Sequence, residues 1–347
     1  MTGISRRVER RRVLQPVSPT FLSLRRRGRF AITTRPSSQG RGRGQRHGCF
    51  WSDTSALRVE SARLPGLALE KNLPVSVNGD EMSDFGVTGR TYVIVGGTTG
   101  LGLSAARALV RHGARVGIGS RSEASVAAAL AELGEHAVGR QLDASESGAV
   151  EELIERTCES FGDLHGLYHV AGGSGRSQGD GPLHELSDDG WEYTIRQNLT
   201  SVMRSNRAAV ERFLLQKSGG AILNTGSVLG FSPSPRYFAS HAYAAAKAGI
   251  EGFSKSLASC YARVGVRVNV IAPGLVETPM SERAQEDEGI MGFVKAKQPL
   301  GGGRIGRPDD LDSAVLCLLG EGGRFTTGQV LRVDGGWSVT EGSSGGA

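Results

Sequence analysis

From Thr91 onward, short apolar runs rich in β-branched residues alternate with longer segments whose apolar positions recur at helical spacing. The runs TYVIV (91–95), ARVGIG (114–119), HAVGRQL (136–142), LHGLYHV (164–170), AILNTG (221–226), VRVNVIA (266–272) and GQVLRV (328–333) read as strands. Between them LSAARALVRHG, EASVAAALAELG, SGAVEELIERTCESFG and HAYAAAKAGIEGFSKSLASCYARVG read as helices. Strand and helix in regular alternation predict an α/β fold: a Rossmann-like, doubly wound parallel sheet with helices on both faces. Such a sheet binds ligands at the carboxyl ends of its strands. Neither a linker nor a repeat interrupts the pattern, so residues 82–347 are read as one domain.

Charge changes the picture only for the first 81 residues. They hold 16 Lys and Arg against 6 Asp and Glu, a net of +10, and the remainder holds 25 against 29, a net of −4. The basic leader lacks both the compact apolar stretch of a secretory signal and a sustained amphipathic period, and it reads as disordered. Three explanations fit it: sequence joined upstream of a domain that opens at Met82, an organellar transit peptide, or an arm that holds nucleic acid through phosphate charge. The first is preferred because MSDFGVTGRTYVIVGG opens like a self-contained domain, which makes nucleic acid an improbable partner and the cytoplasm the expected location, or an organellar matrix if the leader is a transit peptide. Cys49, Cys158, Cys260 and Cys317 are too widely spaced for a disulfide framework or a zinc site, and no apolar run is long enough to span a membrane. The 51 glycines are about twice the usual share and favour tight strand-to-helix turns.

The candidate chemistry begins at the first such turn, VGGTTGLGL, where Gly96, Gly100 and Gly102 have the spacing of a dinucleotide-binding loop. Glycine allows the turn, lets backbone approach a pyrophosphate, and lets the next helix pack against the strand. Thr98, Thr99 and Leu101 fall in the same loop, and the helix behind it offers N–H groups to phosphate. The second strand ends in Ser120 and Arg121, where an NAD site would place an acid for the ribose 2′-hydroxyl. A guanidinium pairs with a 2′-phosphate instead, so NADP(H) is expected over NAD(H). Ser122 could equally cap the following helix, which would explain the same SRSE stretch without a cofactor. Farther along, Tyr243 and Lys247 are four apart and share one helix face.

The glycine turn, Tyr243-x-x-x-Lys247, Ser227 at a strand end, NVIAPGLVETPM and the closing GQVLRVDGGW stand in the order and spacing of the short-chain dehydrogenase/reductase family, which the chain resembles over about residues 85–340. The resemblance implies seven strands, a homodimer or homotetramer, and hydride transfer between a nicotinamide and a small carbonyl or alcohol substrate. It makes Tyr243 the catalytic acid/base, Lys247 its partner, Ser227 the substrate-orienting hydroxyl and Asn198 the fourth member, holding a water that connects Lys247 to solvent. By the same resemblance Asp143 meets the adenine, Ala171 and Gly172 line the cofactor, and Pro273, Gly274, Val276 and Thr278 hold the nicotinamide amide. A cation within about 4–6 Å, with an oxidised nicotinamide, would lower the phenol's pKa towards neutrality. The substrates implied are those of 3-oxoacyl reductases or sugar and polyol dehydrogenases. A non-catalytic dinucleotide-binding or sensing protein, and an RNA-binding role through the leader, are the competing classes.

Three departures from the family pattern stand out. Val95 replaces a Thr whose hydroxyl ties the first turn to a neighbouring strand. His169-Val170-Ala171-Gly172 stands for Asn-Asn-Ala-Gly, with His169 expected to be buried and structural. The segment from Ser227 to Tyr243 is about three residues longer than usual, which makes Tyr237, Phe238 and His241 candidates to shape the substrate pocket, His241 more as the helix entry. Residues 278–303 are expected to form a mobile helical lid hinged at GGGR.

Overall fold

In the computed structural model, which describes residues 85–342, seven strands form one parallel sheet in the order β3-β2-β1-β4-β5-β6-β7. They are β1 (Thr91–Val95), β2 (Arg115–Ser120), β3 (Ala137–Gln141), β4 (Leu164–His169), β5 (Gly220–Thr225), β6 (Val266–Pro273) and β7 (Val330–Val333). All seven expected strands are present, with ends displaced by a residue or two. The leader 1–81 lies outside the described residues. The register is regular, Val93 standing opposite Gly117 on one side and Leu167 on the other.

Every residue of β1 is buried, because helices cover both faces of the sheet. Side chains alternate. Tyr92 and Ile94 enter a core with Leu109, Ile118, Tyr168, Val315 and Leu316, whereas Val93 and Val95 enter the opposite core with Leu153, Leu167, Phe213 and Ile222. The first core is closed by α1 (Gly100–Arg111), α2 (Glu123–Leu133) and the helix Asp312–Leu319. The second is closed by α3 (Ala149–Phe161), by a long helical segment made of α4 (Asp188–Ile195), a π turn (Arg196–Thr200) and α5 (Ser201–Gln216), and by α6 (His241–Tyr261).

The sheet reverses direction of travel between β1 and β4, and there the loops after the two strands separate to leave a crevice. Two further helices, α7 (Glu282–Glu286) and α8 (Glu288–Lys297), occupy the expected lid segment, followed by Gly301, Gly302 and Gly303 with φ of 63°, 77° and 79°. Beneath them Tyr237, Phe293, Trp337 and Phe238 form a chain of ring contacts with centroids 5.3, 5.4 and 6.0 Å apart. Among the described residues no helix is long and apolar enough to cross a membrane.

Candidate active site

The turn after β1 is set by contacts that leave no room for a side chain. A Cβ on Gly102 would lie 2.1 Å from the carbonyl oxygen of Gly96, so α1 rests directly on the turn. Gly96 itself has φ of 87°, and a Cβ there would meet Ala171 N at 2.7 Å. The turn is held by main chain: Val170 N and Ala171 N donate to Val95 O at 2.8 and 2.9 Å, and Gly96 N donates to Gly119 O at 2.8 Å. The first turn of α1 has no capping side chain and no acid. By contrast, Ser122, Ser187 and Asp287 cap α2, α4 and α8. The N–H groups and positive dipole end of α1 therefore open into the crevice without a capping side chain among the described residues, which fits a pyrophosphate.

A cleft of about 480 Å³ runs from this turn to the lid, and it gathers nearly every residue singled out in the sequence. Gly96, Thr98, Thr99, Gly100 and Leu101 line one stretch, with Ser120, Arg121 and Asp143 at one end. Ala171, Gly172, Ser227, Tyr243 and Lys247 line the middle, and Pro273, Gly274, Val276 and Thr278 the far wall. Thr98 Oγ1 donates to Ser120 Oγ at 2.9 Å, joining the turn to the end of β2. Ser122 does cap α2, while the Arg121 side chain lines the cleft and makes no ion pair among the described residues. Burial pushes the Asp143 carboxyl up, but the hydrogen bonds of Ser145 and the charges of Arg121 and Arg196 outweigh it and hold the group below its usual range.

Two of the singled-out residues do not face the cleft. Gly102 is a packing glycine, for the reason given above. Asn198 is fully buried in the π turn, where its Oδ1 accepts from Gly173 N at 3.1 Å and its Nδ2 donates to Gly173 O and Thr194 O, both at 2.9 Å. Gly172 stands between it and the lysine: a Cβ there would be 2.7 Å from Asn198 Oδ1 and 3.7 Å from Lys247 Nζ. Asn198 thus grips the chain that borders the cleft.

Lys247 is buried, its ammonium donating to Thr225 O at 2.8 Å and lying 5.5 Å from the centre of the Tyr243 ring. Burial brings its pKa down to about 8. The Tyr243 phenol is pushed above its ordinary value by burial, opposed by a hydrogen bond with Ser227.

Sequence reasoning missed Asp180. Its buried carboxylate accepts from Ala242 N and Tyr243 N, both at 3.0 Å, and so satisfies the first turn of the helix that carries the Tyr-Lys pair. Ser240, immediately before α6, makes no capping bond, which leaves that role to an acid from a loop more than sixty positions upstream. No local signal marks Asp180. Of the insertion residues, Phe238 lines the cleft, Tyr237 packs behind it on Phe293, and His241 is exposed at the helix entry. His169 is buried as expected: Nε2 donates to Ala171 O at 2.9 Å and Nδ1 lies 2.8 Å from Ser205 Oγ.

Comparison with known proteins agrees with this geometry. A family model described as enoyl-(acyl carrier protein) reductase matches residues 95–338. The 3-oxoacyl-[acyl-carrier-protein] reductase of Salmonella typhimurium is 36% identical over 252 residues, covering 72% of this chain and 97% of its own length. The chain belongs to the short-chain dehydrogenase/reductase family. The cis-4-hydroxycyclohexanecarboxylate dehydrogenase of Sinomonas cyclohexanicum is 34% identical with the same coverage. Among solved structures, a gluconate 5-dehydrogenase from Burkholderia cenocepacia in complex with NADP and tartrate is 28% identical, with a TM-score of 0.67 and coverage of 74% of this chain and 97% of the other. Short-chain dehydrogenases/reductases bind a nicotinamide dinucleotide and act on hydroxyl and carbonyl groups, and this chain is an oxidoreductase of that family.

Two outcomes are expected. Burial and the nearby Lys247 charge hold His169 neutral down to about 3, against an ordinary value of 6.5. Between those values the unfolded chain binds a proton that the folded chain refuses, so stability is kept above the window and lost as pH falls through it. Urea titrations at about pH 7 and about pH 5 should show wild type losing about 2 kcal/mol more than His169→Asn between the two. Asp180→Ala, which leaves two helix amides without an acceptor, should cost about 1–2 kcal/mol in the same measurement and lower kcat more than it raises KM for the cofactor.

Proposed function

We propose that this short-chain dehydrogenase/reductase is an NADP(H)-dependent carbonyl reductase or alcohol dehydrogenase in which Tyr243 is the general acid/base. The observation that carries this reading is the convergence of Tyr243, Ser227 and Lys247 midway along a cleft that begins at an uncapped helix N-terminus. The nicotinamide supplies or accepts the hydride when bound. The side chains of this chain have to move one proton and hold the substrate oxygen. Tyr243 gives or takes that proton, and Ser227, able to donate or accept, stays hydrogen-bonded to an oxygen whose charge changes.

Lys247 contributes charge from a buried position. Its ammonium favours phenolate over phenol, an effect enlarged by the low dielectric that also lowers its own pKa to about 8. Asn198 acts at one remove by fixing Gly172 and Gly173 beside the lysine. Gly96, Thr99, Gly100 and Leu101 would face the pyrophosphate, and Pro273, Gly274, Val276 and Thr278 the nicotinamide end. Asp143 and Ala171 would take the adenosine side. Preference for NADP(H) is supported by Arg121, a cleft cation near Asp143 that makes no ion pair among the described residues, at the end where the adenosine would lie, and by the NADP complex of the related gluconate 5-dehydrogenase.

Reduction of a 3-oxoacyl thioester and oxidation of a sugar acid or cyclic alcohol are the activities that the relatives' names support. A cytoplasmic homodimer or homotetramer is the working form we propose. Its support is the exposure of the apolar Leu214 and Leu215 on α5, together with the common oligomeric habit of the family.

Tyr243→Phe should lose more than nine-tenths of turnover in an NADPH-oxidation assay against ketones, 3-oxoacyl thioesters and keto sugars, while cofactor fluorescence titrations stay near wild type. Arg121→Ala should weaken NADPH binding by about tenfold to a hundredfold, the usual size of a charged hydrogen bond, and leave NADH binding almost unchanged.

A further inference from the structure

Beyond Tyr243 and Ser227 the cleft continues to a mouth that no step of the proposed reaction uses. Its walls are apolar, supplied by Leu229, Phe238, Leu275, Met280 and Trp337. Into the same mouth project two arginines from separate parts of the chain: Arg176, opening the turn Arg176–Gln178 after β4, and Arg283 on α7.

Neither guanidinium is neutralised. Arg176 Nη2 donates to the main-chain oxygen of Tyr237 at 3.0 Å, a bond that fixes the side chain without cancelling its charge. Arg283 makes no ion pair or side-chain hydrogen bond among the described residues. Burial and then the charge of Arg283 lower the pKa of Arg176, with Asp180 opposing, so the two guanidinium groups stand near each other. Asp180 offsets part of that charge without forming an ion pair with Arg176; its oxygens accept from the amides of Ala242 and Tyr243 at 3.0 Å. The one acidic residue lining the cleft, Asp143, stands at the opposite end beside Arg121. Two exposed arginines beside an apolar wall, neither in an ion pair among the described residues, leave guanidinium donors open to an anion that enters the cleft.

We propose that Arg176 and Arg283 form a carboxylate-binding subsite, so that the substrate is a small keto or hydroxy acid whose carbon skeleton lies on Phe238, Met280 and Trp337. Resting on the oxidoreductase reading above, this narrows the substrate to an amphipathic anion that presents its carbonyl to Tyr243 and its carboxylate to the arginines. A guanidinium pair offers planar, paired N–H donors, the geometry a carboxylate accepts. The remaining donors of Arg176 and all those of Arg283 are available for it.

The test measures binding, so it does not depend on turnover. Calorimetric titration of the full chain saturated with NADPH would compare cyclohexanecarboxylate, cyclohexanecarboxamide and cyclohexyl phosphate. The carboxylate should bind about tenfold to a hundredfold tighter than the neutral amide, and this ratio should fall to within about threefold of unity in Arg176→Gln, Arg283→Gln and their double variant. NADPH dissociation constants of the three variants should stay within about twofold of wild type, which separates a substrate subsite from a cofactor-phosphate contact.

Equal binding of acid and amide by wild type would overturn the proposal, as would an acid preference that survives in the double variant. A loss of NADPH affinity in place of acid affinity would reassign the arginines to the cofactor, and tighter binding of cyclohexyl phosphate than of the carboxylate would reassign them to a phosphate ester. If the carboxylate binds as expected but no ketone or keto acid oxidises NADPH, the subsite stands and the catalytic reading of Tyr243 fails. If neutral ketones are reduced without any acid preference, the reverse holds.

Discussion

The carbonyl oxygen of Gly96 lies where the Cβ of residue 102 would otherwise be, and the geometry of the cleft follows from that contact. Because α1 can sit on the turn after β1, its N-terminal amides point along the crevice where the sheet order reverses. Because that turn is also packed on Ala171, the loop after β4 is drawn to the opposite lip. The main-chain bonds from Val170 and Ala171 to Val95 hold that loop against the turn. Any side chain at either glycine would part the helix from the strand and open the cleft at its floor.

Upon this frame the protein places cations in depth. Arg121 is at one end, Lys247 is buried in the middle, and Arg176 and Arg283 are at the mouth, with Asp143 the single acid on the lining among the described residues. The distribution explains how a body with a net charge of −4 can still attract anionic ligands, since the field that matters is that of the cleft. Burial has a cost for each charged or titrating group: it lowers the pKa of Lys247 and raises that of Tyr243.

Most of the fold and much of the site could be read from the sequence, for identifiable reasons. Strand runs such as TYVIV are buried on both faces and so are continuously apolar, which makes them conspicuous. The Tyr243–Lys247 pair and the glycine turn are local patterns whose spacing is set by helix and turn geometry. Asp180 was invisible because it acts on Ala242 and Tyr243 from a distant loop, and one of four acids in GDGPLHELSDDG has nothing to distinguish it from the others. Arg176 and Arg283 were missed for the same reason, over 100 positions apart in sequence and paired only by the fold. Asn198 was found by its motif, yet its partners on Gly173 depend on a π turn that spacing alone does not announce.

One short loop, the stretch from Gly172 to Ser187, carries two unrelated duties. Arg176 faces the cleft mouth, and four residues later Asp180 anchors the start of α6. Substrate range and active-site rigidity are therefore linked on this side of the cleft: insertions or deletions that would reshape the mouth also move the anchor. The lid side is tied as well, but to the other wall: Gln285 on α7 donates to Thr278 O at 3.3 Å and to Ser281 Oγ at 2.8 Å, and Ser281 donates to Val276 O at 2.7 Å. A change in α7 is therefore transmitted to Val276 and Thr278, whereas a change in the loop after β4 is transmitted to the start of α6.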